Sequence, residues 1–162
     1  MDNHPAACGE VDYYELAFSE QFVLWSWRIW VLGLYRDRPA VPVIDRACAV
    51  LGAPGGGALI DRMMMVLADN ARRPIDIRPP CYRTLSDDER RLLGAVRYLQ
   101  DGDAVRPLFL LSPLLKAERR EAVHAAIGDV ARLLMSAGVD LTAVGAAPSD
   151  PFSLGRRTRC DA

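Results

Sequence analysis

With 162 residues, 51% of them apolar and 25% charged, the chain has the balance of a globular domain and not that of a disordered or fibrous protein. A formal net charge of -1 argues against a nucleic-acid partner, because neutralising a phosphate backbone takes a clustered positive surface. One domain accounts for the length, and a domain of this size buries about 70% of the surface its unfolded chain exposes.

Cys8, Cys48, Cys81 and Cys160 form no C-x-x-C pair, which removes the zinc-ribbon and thioredoxin-type motifs. Free thiols, a cytoplasmic location and no metal or cofactor are the expectation. Met1 to Glu10 has neither the basic nor the apolar region of a signal peptide. The longest apolar stretch, Phe22 to Tyr35, is interrupted by Ser26 and Arg28 and falls short of the ~20 residues of a membrane span. Lys116 is the only lysine among 20 basic residues, which reads as the codon bias of a GC-rich genome.

The local signals predict an all-α fold, a compact bundle of five to six helices over residues 19–142. Irregular segments are expected at 1–18 and 143–162, which lack apolar periodicity. The first helix is expected from Ser19 as N-cap, with Glu20 in its first turn, to a point before Pro39. Pro42 and Gly52 frame the second, on which Ile44, Ala47, Cys48 and Leu51 recur at i, i+3, i+4 and i+7. Gly55, Gly56 and Gly57 read as a break before a third helix over 58–72, with Ile60, Met63, Met64, Leu67 and Ala71 as its buried stripe.

Pro74 stops that helix, and Ile75-Asp76-Ile77 ahead of Pro79-Pro80-Cys81 reads as an extended connector, since no partner strand exists for it. Ser86-Asp87-Asp88-Glu89 is a capping box that opens a fourth helix running through Leu92, Leu93, Val96 and Leu99 to Gly102. Asp103 can cap a short fifth helix carrying Leu108, Phe109 and Leu111. Ser112-Pro113 reads as the start of the last helix, whose face is Val123, Ile127, Val130 and Leu134 and whose end is Gly138.

The first helix carries the most information about function. At about 100° per residue, Phe22, Trp25, Ile29 and Leu32 fall on one side and Val23, Trp27, Trp30, Val31 and Leu34 on the other. A helix apolar nearly all round must be covered on both faces. Either it is the central helix of the bundle, or the side with Trp25 or the side with Trp27 and Trp30 is left for a second chain. Phe22, Trp25, Trp27, Trp30 and Leu34 are therefore the candidate interaction residues, with a homodimer or another protein as the partner.

Other motifs carry less. The glycine run is not a P-loop, because Ala58 and Leu59 stand where Lys and Ser or Thr are needed. Consecutive Met63, Met64 and Met65 point apart on a helix and cannot converge on one ion. Cys81, between Arg78 and Arg83, is a candidate reactive thiol without an identifiable base. His4 and Cys8 have an i, i+4 spacing but lack further ligands, and His124 borders the apolar face of the last helix. The arginine pairs beside Asp87, Asp88, Glu89, Glu118 and Glu121 read as solvated faces of mixed charge.

These observations favour a non-enzymatic helical interaction or regulatory protein working through an apolar helix surface. The alternative is a small enzyme or redox sensor using Cys81. A third class, an apolar small-molecule binder, needs a pocket lined by the tryptophans and methionines.

Overall fold

The computed structural model describes residues 11–141, which hold six α-helices and no β-strand. These are α1 (Phe18–Tyr35), α2 (Val41–Val50), α3 (Gly56–Asn70), α4 (Asp87–Gln100), α5 (Arg106–Leu111) and α6 (Arg120–Ser136). Short 3-10 turns lie at Tyr13–Glu15 and Ala117–Arg119. The expected irregular tail at 143–162 falls outside the described residues, as do His4, Cys8 and Cys160. The connector at Ile75–Ile77 is extended and unpaired as a strand, and the only β-type pairings among the described residues are the bridges Asp12–Thr84 and Ala71–Leu115.

Packing follows the apolar stripes. The α3 helix lies along α6 and against α2, α4 lies against α5 and α6, and α1 touches α2, α3 and α4. Trp27, Ile44, Met63, Leu93, Val96 and Ile127 are all 0% exposed and form part of one continuous core. Full burial of each such aliphatic side chain is worth about 1.5–3 kcal/mol. The end of α4 is set by Gly102 in the left-handed region (φ +80), after which the Asp103 N–H donates to the Tyr98 carbonyl at 2.8 Å.

Three of the expected helix starts move, each for a local reason. Ser19 is not the cap of α1; the helix begins at Phe18, where the Glu20 carboxylate reaches back to accept the Ala17 N–H at 2.9 Å. Gly56 and Gly57 are not a connector but the first turn of α3. They lie so close to α2 that a Cβ on Gly56 would stand 2.6 Å from the Cys48 Sγ, and one on Gly57 2.6 Å from the Asp45 Cβ. Ser112-Pro113 does not open the last helix. Leu114 and Leu115, both 0% exposed, plug the core there. The backbone is held extended by Arg72 N–H to Leu114 O (2.9 Å) and Lys116 N–H to Asn70 O (3.1 Å), so the helix restarts only after Lys116.

Asp88 and Glu89 in the first turn of α4 belong to a buried polar junction, which corrects their reading as part of a solvated face, while Asp87 beside them is exposed as expected. Asp88, Glu89 and Arg91 are 3%, 0% and 9% exposed. Glu89 takes the Arg28 guanidinium of α1 on both oxygens and also accepts the backbone N–H groups of Arg78 (3.1 Å) and Ser86 (3.0 Å). Arg28 further donates to the carbonyls of Tyr82 (2.7 Å) and Thr84 (3.2 Å), and its guanidinium lies over the Tyr13 ring. Asp88 in turn accepts two bonds from Arg73, each 2.7 Å, and the Asp76 N–H at 2.9 Å. The capping serine closes the junction, accepting the Glu89 N–H at 3.0 Å and donating its own hydroxyl to the Asp76 carbonyl. Buried charges persist when paired and fully hydrogen-bonded, as these are.

Candidate functional site

The structure separates the two sides of α1. Val23, Trp27 and Trp30 face inward at 1%, 0% and 6% exposure, and the Trp30 indole N–H donates to Asp61 at 2.7 Å. Trp27 and Trp30 are thus core residues, covered by this chain's own later helices. The other side is covered only in part. Phe18 is 67% exposed, and Trp25, Ile29 and Leu32 are half-buried. Phe22 is buried beside Trp25, with ring centroids 6.0 Å apart.

Phe18, Phe22, Trp25, Ile29 and Leu32 follow one another at steps of four, three, four and three residues. That is the spacing of the seam along which one helix packs against another, averaging 3.5 residues per turn. A shallow cleft of about 150 Å³ continues the seam toward α2 and is lined by Ile29, Leu32, Arg36, Ala40 and Val43, with Val43 49% exposed. Of the five interaction residues named from the sequence, Phe22 and Trp25 share this seam. Leu34, 63% exposed, lies near the end of the helix and off it. Ile29 lies on the side the sequence assigns it with Phe22 and Trp25, whereas Phe18 and Val43 are surface residues the sequence reading does not name; the four-three spacing signals Phe18, and Val43 comes from α2.

Cys81 is exposed, just after Pro79-Pro80. The two arginines expected to activate it are occupied elsewhere. The Arg78 guanidinium donates to the Thr84 hydroxyl and lies over the Tyr82 ring, while Arg83 pairs with Asp12 at 2.6 Å. Burial pushes the other described thiol, Cys48, up to about 11, with the Asp45 charge adding to the shift, so it is a core group. His124 is half-buried on α6, and its Nε2 meets no partner among the described residues. Met63 and Met64 are buried while Met65 is 46% exposed, so the three diverge around α3. Among the described residues no group of three or more His, Cys, Asp or Glu is placed to hold a metal ion. No helix there is long and apolar enough to cross a membrane.

A second concave feature lies on the inner side of α1. A groove of about 500 Å³ opens between α1, α3, α4 and the connector after α3. Trp30, Met64, Leu67 and Leu92 line its apolar part, and Arg72 and Arg73 stand on its wall. Compared with family models, curated proteins and solved structures, the chain matches none.

Proposed function

We propose that the protein is a non-enzymatic helical interaction protein that pairs with a second copy of itself through the outer face of α1. The observation that carries this reading is the seam of Phe18, Phe22, Trp25, Ile29 and Leu32, helix-pairing in its spacing and only partly covered by its own chain. A two-fold pairing is the commonest way for a soluble chain to cover such a face. Aromatic side chains at its centre supply the large contact area typical of interface anchors.

Charge favours an antiparallel arrangement. Exposed Glu15 precedes the N-terminus of α1, and exposed Arg36, Asp37 and Arg38, net positive by one charge, follow the other end. Antiparallel pairing brings each acidic end beside the partner's basic end and opposes the two helix dipoles, whereas parallel pairing sets like beside like. In that register Trp25 faces the partner's Ile29.

The test is disulfide trapping in a background with Cys8, Cys81 and Cys160 replaced by serine. W25C protein mixed with I29C protein should form a covalent heterodimer faster than either variant cross-links alone. Absence of any covalent dimer, with both variants folded by circular dichroism, would remove the interface; faster self-cross-linking of W25C would replace the antiparallel register by a parallel one.

A further inference from the structure

The groove beside Trp30 lies on the opposite side of α1 from the pairing seam, and we infer that it is a binding site for a free alkyl carboxylate of medium chain length. The alkyl chain lies against the apolar lining that stays open, Val31, Ala71, Ile75 and Ile77, and the Arg72 guanidinium holds the carboxylate. At about 500 Å³ the groove falls within the size range of small-molecule sites. Beneath that lining Trp30, Met64, Leu67 and Leu92 are packed into the core, at 6%, 4%, 2% and 1% exposure, so the groove has a firm apolar base.

The polar groups on the wall decide the sign of the ligand. Two arginines line the groove and no Asp or Glu does, in a chain whose overall charge is only -1. Arg73 is already committed to Asp88. Arg72 is the available cation: its backbone N–H is fixed on the Leu114 carbonyl at 2.9 Å, and its exposed guanidinium makes no hydrogen bond or ion pair among the described residues. A single guanidinium matches a single carboxylate in a two-pronged pair, and the apolar floor offers nothing to a larger polar head group.

The groove is also built before any ligand arrives. Its outer wall, the connector at Pro74–Ile77, is tied down by Arg73 and the Asp76 N–H on Asp88 and by the Ser86 hydroxyl on the Asp76 carbonyl. A wall already ordered loses little conformational freedom on binding.

Isothermal titration with decanoate, below its micelle concentration, tests the site. Decanoate should saturate one site per chain of the wild type, and Arg72→Gln should weaken it by about tenfold, the loss of one charge-assisted contact. Ala68→Trp, at an exposed position on the groove, should abolish binding without lowering the thermal midpoint. Decyltrimethylammonium, with the same chain and the opposite charge, should bind more weakly than decanoate. No saturable binding of decanoate, equal binding of decyltrimethylammonium, or full binding by folded A68W protein would each overturn the assignment. None of these outcomes depends on whether the α1 seam pairs, which the disulfide test reads separately.

Discussion

The Arg28 guanidinium grips both carboxylate oxygens of Glu89, at 2.8 and 2.9 Å, in a pair whose side chains are 1% and 0% exposed. The contact joins α1 to the first turn of α4 across 61 residues of sequence. Removing one partner leaves the other charged and buried, a loss of about 3–5 kcal/mol. Glu89→Gln should therefore lower the urea midpoint steeply. The double replacement of Arg28 and Glu89 by methionine should cost less than the sum of the two single changes.

Ser86→Ala removes two bonds at once, the cap on the Glu89 N–H and the bond to the Asp76 carbonyl. The expected loss is about 1–2 kcal/mol in chemical denaturation. Ser86→Asp can still accept the cap but cannot donate to Asp76, so it should recover only part of the loss.

Gly57→Ala tests the close crossing of α2 and α3. The added methyl would meet the Asp45 Cβ at 2.6 Å and Cα at 2.8 Å, atoms too close to the main chain to swing away. Alanine is otherwise the better helix former, so a destabilisation of about 1–3 kcal/mol, in place of a gain, is the signature of overpacking. A thermal midpoint at or above that of the wild type would mean the two helices sit further apart.

Acid should weaken the fold in a defined window. Burial alone would raise the Asp88 carboxyl, but the Arg73 bonds, the Asp76 N–H and the charges of Arg73 and Arg91 outweigh it and hold the group below its ordinary value. A depressed carboxyl stabilises the folded state above the unfolded value of about 3.9, and that contribution is lost as pH falls through the folded value. Asp12, lowered by the Tyr14 N–H and Arg83, and Asp103, lowered by the Arg106 and Val105 N–H groups, act in the same direction, but Asp12 pairs with an exposed arginine and Asp103 is half-exposed, so solvent screens both. Thermal midpoints should hold down to about pH 4 and then fall. Asp88→Asn should start lower at neutral pH and show a shallower acid decline.

The residues differ in how plainly the sequence announces them. The capping box at Ser86, the stripes of α2, α3 and α6 and the ends at Gly102 and Gly138 were legible, because each is set by contacts within a few residues. Glu89 and Arg28 were not: a charge beside an apolar stripe is usually solvated, and only the crossing of α1 with α4 turns it inward. Gly56 and Gly57 were misread for the same kind of reason, since a glycine run signals a flexible link until a neighbouring helix is known to touch it. On α1 the sequence announced two apolar faces but not which one the bundle would cover. The later helices settle this by burying Trp27 and Trp30 and leaving Trp25 half-exposed.

Light scattering on the eluting protein at high micromolar concentration reads the pairing of α1 itself. The wild type should have about twice the 17.9 kDa mass of one chain, and Trp25→Glu and Phe18→Glu should each give a folded particle of one chain mass. Phe18, 67% exposed, serves as the second probe because a charge there cannot disturb the core. A wild type that elutes at 17.9 kDa, or folded F18E and W25E proteins that keep the doubled mass, would contradict pairing through the outer face of α1.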